Sequence, residues 1–254
     1  MTPSPVGMRC PECGGQTTRV RSGAAAYTSD DRPLATYTLI GINLLFYLAE
    51  IASGSGGLGG GSGRLTYDLG LFGPAVADGE WYRILTSGFL HSGLIHLGFN
   101  MFALFILGPL LEPAIGRVRF VALYFSSLLV GSLGVMVMSP EALTVGASGA
   151  IFGLFAAAFV IARGRGINEV ATQLGFLIVI NLVFTFSIPN ISIGAHLFGA
   201  LGGALGAMII VAGDRGLTGA NRVVVETGAM ALLGVACAVL AITIAPAAQY
   251  VIGV

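Results

Sequence analysis

The sequence predicts an all-α, polytopic membrane protein, with a six-helix bundle followed by a seventh transmembrane helix at the C-terminal end. Its 254 residues are 55% hydrophobic and only 9% charged, whereas a soluble domain carries roughly 25% charged residues. A transmembrane helix needs about 20 mostly apolar residues. Seven stretches approach or reach that length, and we number them as spans one to seven: residues 34–52, 92–111, 118–138, 147–162, 170–187, 193–212 and 227–245.

The distribution of arginine between these spans predicts the orientation. All twelve basic residues are arginine, and if the N-terminus is inside, only Arg64 and Arg83 lie in outer segments. Because basic residues concentrate in cytoplasmic loops, we expect a cytoplasmic N-terminus and an external C-terminus. The composition suggests the plasma membrane of a bacterium. The six-span core then covers residues 34–212, and an inner loop with span seven covers residues 213–254.

Residues 1–33 form a polar segment before the first span. It contains Cys10 and Cys13 in a CxxC-Gly pattern, which is typical of half a zinc site. A structural zinc ion needs four ligands, and no second pair follows, because the third cysteine, Cys237, lies in span seven. We expect either a half-site completed by another chain or a degenerate one. The segment has no apolar core of the signal-peptide type, so no cleavage is expected.

The first outer loop, residues 53–91, changes character along its length. A Gly/Ser run from Ser53 to Gly63 predicts a flexible linker. The later part is aromatic and apolar, and Trp and Tyr favour the membrane interface, so this part is expected to lie on or in the outer leaflet. Arg83 is a candidate brace that donates hydrogen bonds to loop carbonyls, and a plain interfacial anchor is the alternative.

Three polar side chains lie at or just before the start of span two, His91, His96 and Asn100. His96 and Asn100 are four residues apart and share one helix face. Polar side chains at membrane depth are costly and indicate function, although an interhelical hydrogen-bonding pair would also explain these two. His91 is five residues before His96 and points elsewhere, so the two histidines do not predict a metal site.

Span four begins with Gly146-Ala147-Ser148-Gly149, a serine enclosed by small residues. Glycine on either side lets another chain approach closely. If the helix begins here, the Ser148 N–H is one of the unpaired donors of a helix N-terminus, where negative charge is favoured. That environment suits a nucleophile whose reaction builds an oxyanion. The alternative is a small-residue packing site whose serine is satisfied by its own backbone.

Span six carries His196, Gly199 and Gly203 at i, i+3 and i+7, on one helix face. Small residues at this spacing let helix backbones approach closely. Span four offers a matching track at Gly149 and Gly153. The sequence therefore predicts that His196 lies on the face that packs against the helix of the serine motif.

The polar groups of spans two, four and six are expected at one depth, because all three spans run from outside to inside and carry these groups near their starts. Serine needs a base within hydrogen-bond reach to act as a nucleophile, and His196 is the best candidate. The outer halves of these spans contain no Asp or Glu. We therefore predict a Ser148–His196 dyad rather than a triad. The Ser148 N–H and the side chains of His96 and Asn100 are the candidate oxyanion donors.

These motifs, in this order, resemble those of the rhomboid intramembrane serine proteases. The resemblance rests on Gly-Ala-Ser-Gly, the His-x4-His-x3-Asn run before it and Ala-His-x2-Gly-x3-Gly after it, and it covers roughly residues 34–212. It implies a six-helix core, a catalytic dyad of Ser148 and His196, and an oxyanion site that includes His96 and Asn100.

Other positions match the rhomboid pattern less uniformly. Gly146 and Gly149 match the glycines of the serine motif. Phe152 stands where the family often has a tyrosine beside the catalytic histidine, so the ring is kept and the hydroxyl is lost. Trp81 is separated from Arg83 by one residue, where the family usually has the two adjacent. Span seven is an addition seen in some members, and the cysteine-bearing segment lies outside the resemblance.

The resemblance implies an endopeptidase that cleaves transmembrane helices of membrane proteins near their outer ends. The substrate would enter sideways from the bilayer and unwind locally, because a membrane helix hides its peptide bonds in hydrogen bonds. Span five and the turn at residues 187–193 are candidate gates. We expect no cofactor, no metal in the core and no nucleic-acid partner, and the sequence indicates no oligomeric state.

Two alternatives belong to other functional classes. A non-catalytic rhomboid-like protein would bind transmembrane helices without cutting them, and loss of the serine or the histidine would favour it. A small transporter or channel would need polar residues along the full depth of the spans, whereas these lie in the outer third. Metalloprotease chemistry is disfavoured because the sequence has no HExxH motif.

Overall fold

The computed structural model describes residues 2–4, 7–9, 32–54 and 63–247. The chain divides into two units, Met1–Arg32 and Pro33–Val254. In the first unit, strands β1 (Thr2–Ser4) and β2 (Gly7–Arg9) pair in antiparallel order. Cys10 and Cys13 lie outside the described residues, so the zinc half-site stays a prediction.

The second unit is helical. Its helices are α1 (Leu34–Ala52), α2 (Arg64–Leu69), α3 (Gly73–Ala77), α4 (Arg83–Thr86), α5 (Leu94–Ile115), α6 (Arg117–Met138), α7 (Ser148–Gly164), α8 (Asn168–Ser187), α9 (Ile193–Gly216) and α10 (Gly219–Thr243). Six of them are long and apolar enough to cross a membrane, and α7 is apolar but shorter. The predicted all-α, multi-pass fold is therefore confirmed, with α1 and α5 to α10 as spans one to seven.

Three helices extend clearly beyond the predicted spans. Helix α9 continues to Gly216, whereas the predicted span ended at residue 212. Helix α5 continues to Ile115 and contains Pro109 and Pro113, residues that membrane helices tolerate better than soluble ones. Helix α10 begins at Gly219, whereas the predicted span began at residue 227. The difference arises because the first turns of α10 carry charged residues, which a search for apolar stretches excludes.

These charges in α10 are paired inside the protein. Glu226 is buried and accepts hydrogen bonds from Arg222 Nε at 2.7 Å and from Arg119 Nη1 of α6 at 2.9 Å. Arg222 also pairs with Asp214 of α9. A buried carboxylate is tolerated only with such partners. The network fixes α10 to α6 and α9.

Helices α6, α7 and α9 form the centre of the bundle. Helix α6 is buried along most of its length, whereas α1, α8 and α10 expose many large apolar side chains. Exposed apolar faces of this kind suit contact with lipid tails. The centre of the bundle is therefore the place where polar side chains of several helices can meet away from lipid.

Helices α7 and α9 approach each other through glycine. A Cβ atom on Gly199 would overlap the backbone carbonyl of Gly149, and one on Gly203 would overlap that of Gly153. Helices without side chains at the contact can bring their backbones together. The predicted glycine tracks of spans four and six therefore pack directly against each other.

Helix α1 is anchored at its start by a carboxylate from α5. Buried Glu112 accepts hydrogen bonds from the N–H groups of Ala35 at 2.9 Å and Thr36 at 2.8 Å, and from the Thr36 hydroxyl at 2.7 Å. The first N–H groups of a helix have no partner within it and favour negative charge. This contact fixes α1 against the helix that carries His96.

The outer loop is joined to the segment that precedes the serine motif. Leu71 and Thr144 form a two-way backbone bridge with N–O distances of 2.9 Å. The Gly146 N–H donates to the carbonyl of Ser87 at 2.9 Å. These bonds fix the segment just before Ser148 to the outer loop.

Candidate active site

Ser148 is the first residue of α7. Gly146 precedes it with φ at +129°, a conformation that L side chains rarely adopt. Ala147 is fully buried, whereas Ser148 remains partly exposed. The glycine turn therefore presents the serine hydroxyl at the mouth of the bundle, beside N–H groups that have no partner within the helix.

His196 lies within hydrogen-bond distance of this serine. Its Nε2 is 2.8 Å from Ser148 Oγ. Helix α9 begins three residues earlier, and the Ser192 side chain caps it by accepting from the Ala195 N–H at 3.2 Å. The Phe152 ring stacks on the imidazole with centroids 4.0 Å apart and an interplanar angle of 17°. His196 is therefore buried and held in plane at the expected dyad position.

The other ring nitrogen of His196 contacts a residue that the sequence motifs do not include. Thr185 Oγ1 of α8 is 2.8 Å from His196 Nδ1 and also 2.8 Å from the carbonyl oxygen of Asn181. Asn181 is the polar residue inside span five, but its Nδ2 only donates to the Leu177 carbonyl of its own helix. The sequence signal for Thr185 was a threonine near the end of an apolar span, just before the span that carries the candidate base.

His96 lies on the opposite side of the serine. A Cβ atom on Gly146 would be 2.8 Å from His96 Nε2 and 3.6 Å from Ser148 Oγ, so the imidazole and the hydroxyl border the same small space. The Ser92 hydroxyl is 3.1 Å from His96 Nδ1. Any side chain at Gly146 would occupy the space between His96 and the serine, which gives this glycine a second constraint beyond its φ angle.

Asn100 is buried one turn further along α5. Its Nδ2 donates to the carbonyl oxygen of His96 at 3.1 Å. The structure therefore gives one amide proton of Asn100 a partner within its own helix and shows no hydrogen bond between Asn100 and Ser148. An amide carries two such protons, and the second is the one that could reach an oxyanion.

His91 is buried beside His96, with ring centroids 5.1 Å apart. Neither of its ring nitrogens makes a hydrogen bond of good geometry, although the Phe89 backbone is close enough to the ring to offset a small part of the effect of burial on its pKa. Burial lowers the pKa of His91 to about 3, and the nearby His96 adds a smaller effect in the same direction. His91 is therefore a neutral packing group behind His96 and does not contact the serine.

Arg83 lies in the outer loop, away from the serine. It is buried and donates from Nη1 to the carbonyl oxygens of Tyr67 and of Gly70, the latter at 2.8 Å. It also donates from Nε to Glu80 at 2.5 Å, and this bond lowers the pKa of the Glu80 carboxyl. Trp81 is exposed instead, so Arg83 braces the loop while Trp81 has the position of a surface anchor.

Among residues 32–54 and 63–247, no three His, Cys, Asp or Glu side chains lie close enough to share a metal ion. The side chains that converge on Ser148 are those of His196 and His96, with Thr185 and Phe152 placed around the first imidazole. This arrangement can supply a nucleophile, a base and polar groups next to both.

Comparison with known proteins places these residues in a family. A family model for the rhomboid domain matches residues 78–213. Rhomboid protease GluP of Bacillus subtilis is 36% identical over 195 residues, which are 74% of this chain and 37% of GluP. YdcA of the same organism, named as a candidate rhomboid protease, is 39% identical over 151 residues, 57% of this chain and 72% of YdcA.

A third relative carries a different description. The inactive RHOMBOID-like protein 8 of Arabidopsis thaliana is 33% identical over 129 residues, 50% of this chain and 36% of that protein. The chain thus spans little more than a third of the length of GluP or of this plant protein. Since the rhomboid domain model matches more than half of its residues, the chain belongs to the rhomboid family.

Proposed function

We propose that this chain is an intramembrane serine endopeptidase that cleaves transmembrane helices of membrane proteins near their outer ends. The observation that carries the proposal is the 2.8 Å separation of Ser148 Oγ and His196 Nε2 at the starts of two membrane helices. Similarity to relatives named as rhomboid proteases supports it. The site lies within a multi-pass membrane protein, so membrane proteins are its natural substrates.

The dyad acts in two proton transfers. Ser148 Oγ attacks the carbonyl carbon of the scissile bond while its proton passes to His196 Nε2, so that an O–H bond breaks and an N–H bond forms. The imidazolium then gives this proton to the leaving amine as the C–N bond breaks. Water from the outer surface hydrolyses the acyl-enzyme, with His196 again as the base.

The oxyanion formed in this attack is stabilised by donors around Ser148. The backbone N–H of Ser148 belongs to the unpaired set at the start of α7, and the His96 side chain borders the same space. The second amide proton of Asn100 is the third candidate donor. Removing one donor from such a site typically costs about 100- to 1000-fold in rate.

The placement of the chain in the membrane forms part of the proposal. With the N-terminus inside and the C-terminus outside, the starts of α5, α7 and α9 lie near the outer surface of a bacterial plasma membrane. The arginines at the opposite ends of these helices, among them Arg117 and Arg163, support this orientation. Substrate would enter past the outer half of α8, whose side chains are mostly exposed.

The test compares purified proteins in liposomes that contain a single-span substrate with small or helix-breaking residues near its outer end. Wild type should release a product, and Ser148→Ala and His196→Ala should release none. Ser139→Ala is the matched control, since Ser139 is a partly exposed serine at the end of α6 and outside the candidate gate, and it should cut like wild type. Cleavage that persists in Ser148→Ala would overturn the serine mechanism.

A serine-directed fluorophosphonate separates the remaining outcomes. If wild type cuts nothing but is labelled at Ser148, the nucleophile is active and the substrate panel is wrong. If wild type neither cuts nor labels, the non-catalytic alternative is favoured and proteolysis is rejected. In that case wild type and Ser148→Ala should capture the single-span helix equally well, because helix binding does not need the serine hydroxyl.

A further inference from the structure

The Nδ1 side of His196 faces a hydroxyl group that the proposed mechanism does not use. Thr185 Oγ1 is 2.8 Å from His196 Nδ1 and 2.8 Å from the Asn181 carbonyl oxygen. Thr185 is 2% exposed and His196 is 7% exposed, so water has little access to this contact. Both short contacts involve one hydroxyl group, which has a single proton to donate.

The position of that proton determines the direction of both hydrogen bonds. The carbonyl oxygen of Asn181 can only accept, so Thr185 donates to it. If the proton pointed to His196 instead, two oxygens would face each other at 2.8 Å without a proton between them. Thr185 Oγ1 therefore accepts, and His196 Nδ1 carries the N–H that donates to it.

We propose that Thr185 is a positioning residue that holds neutral His196 in its Nδ1–H tautomer. The inference rests on the proposed function, because the consequence concerns the serine. A neutral imidazole carries one N–H, so Nε2 is left with a lone pair that faces Ser148 Oγ at 2.8 Å. When the Ser148 O–H bond breaks, the proton forms a bond with Nε2 and Nδ1 keeps its own.

The opposite tautomer would leave the dyad without a base. Nε2 would then carry the proton, and the Ser148 oxygen could only accept a hydrogen bond from it. In a serine–histidine–aspartate triad a carboxylate selects the productive tautomer. No carboxylate contacts His196 among the residues that the structure describes, so Thr185 occupies that place as a neutral acceptor.

The burial of Thr185 supports a specific role. Its neighbours Phe184 and Phe186 are exposed, and the other buried residues of α8, Ala171 and Leu174, lie towards the opposite end of the helix. The outer half of α8 therefore has little apolar packing that would require a small buried residue. The hydroxyl contact with the imidazole is the interaction that explains its position.

Three substitutions isolate this hydroxyl. Thr185→Val keeps the shape of the side chain and removes the acceptor oxygen, whereas Thr185→Ser keeps the acceptor oxygen. Thr172→Val is the matched control. Thr172 also lies in α8 and donates to the carbonyl four residues earlier, at 2.9 Å. It is exposed, however, and lies near the opposite end of α8 from Thr185. Each protein is tested for cleavage of the single-span substrate in liposomes.

We expect Thr185→Val to lower kcat roughly tenfold, the effect of one lost neutral hydrogen bond that orients the base. KM should stay within about twofold, since the Thr185 side chain is buried and is not part of the exposed face of α8 past which the substrate would enter. Thr185→Ser and Thr172→Val should keep kcat close to that of wild type. An unchanged kcat in Thr185→Val, or an equal loss in Thr185→Ser, would overturn the proposal.

A second measurement reads the tautomer directly and needs no activity. The chain has three histidines, so proton–nitrogen correlation spectra of protein labelled with ¹⁵N-histidine are simple, and His196→Ala assigns the signal. Wild type should show a protonated Nδ1 and an unprotonated Nε2, and Thr185→Val should shift towards the other tautomer. An Nε2–H tautomer in wild type rejects the inference, whereas a wild type with the expected tautomer and no cleavage rejects only the proposed proteolysis.

Discussion

The glycine contact between α7 and α9 sets the distance between Ser148 and His196. Gly199→Ala adds one Cβ atom, and that atom would overlap the backbone carbonyl of Gly149. Because the obstacle is backbone, no rotamer change can relieve the overlap. The two helices must move apart, and they carry Ser148 and His196, the proposed nucleophile and base, with them.

The size of this movement follows from the overlap. A carbon and an oxygen pack at somewhat more than about 3 Å, so the helices must separate by roughly 1 Å. The Ser148–His196 distance of 2.8 Å would then approach about 3.8 Å, beyond hydrogen-bond range. A misplacement of about 1 Å can cost about 100-fold in rate, and overpacking costs typically about 1–3 kcal/mol of stability.

The assay measures cleavage of the single-span substrate in liposomes and unfolding of the same proteins in denaturant. Gly199→Ala should lose about 100-fold in kcat. Gly149→Ala should lose less, since its Cβ would be 3.2 Å from the Ala195 carbonyl oxygen. Gly98→Ala in α5 is the control, because its Cβ meets nothing within 4 Å. A folded Gly199→Ala protein that keeps wild-type kcat would refute the reasoning.

Two further predictions concern the surroundings of the site. Arg83→Ala leaves two loop carbonyls without their donor, one in a buried bond and one in a partly buried bond. An unpaired buried group costs about 1–3 kcal/mol, and less where water can reach it, so the free energy of unfolding in denaturant should fall by about 2–4 kcal/mol; an unchanged value would mean that the loop does not depend on this brace. His91 has a folded pKa of about 3 against an ordinary value of 6.5. The contribution of neutral His91 to the free energy of unfolding is fully present above pH 6.5. It falls by up to about 1.4 kcal/mol per pH unit as the pH drops towards 3. His91→Phe, which cannot take up a proton, should therefore lose less stability than wild type between about pH 7 and pH 5, and parallel losses would contradict the assignment.

The parts of the fold that follow from local physical rules could be predicted from the sequence. Lipid requires long apolar helices, so composition and length alone identify the spans. Glycine spacing on α7 and α9 predicts their close packing because small residues at i and i+4 leave one backbone face open. The proximity of Ser148 and His196 follows from that packing, and the structure places the two side chains within hydrogen-bond distance.

Features that depend on a partner distant in sequence could not be predicted. The sequence predicts too late a start for α10 because Glu226 is a charged residue whose partner, Arg119, lies more than one hundred positions away. Glu112 likewise gives no sequence signal that it caps α1. In both cases a charge that would end a membrane span in isolation becomes tolerable through a specific contact.

The antiparallel order of the helices explains why the sequence motifs do not point to Thr185. The motif residues Ser148 and His196 both lie at the starts of helices that run in one direction. The chain turns back between α8 and α9 over a few residues, so the last turn of α8 lies level with the first turn of α9. A residue near the end of one helix then faces a residue near the start of the next, as Thr185 faces His196. Any site built at helix starts in such a bundle is therefore completed by side chains from the ends of the intervening helices, as Thr185 of α8 completes the surroundings of His196.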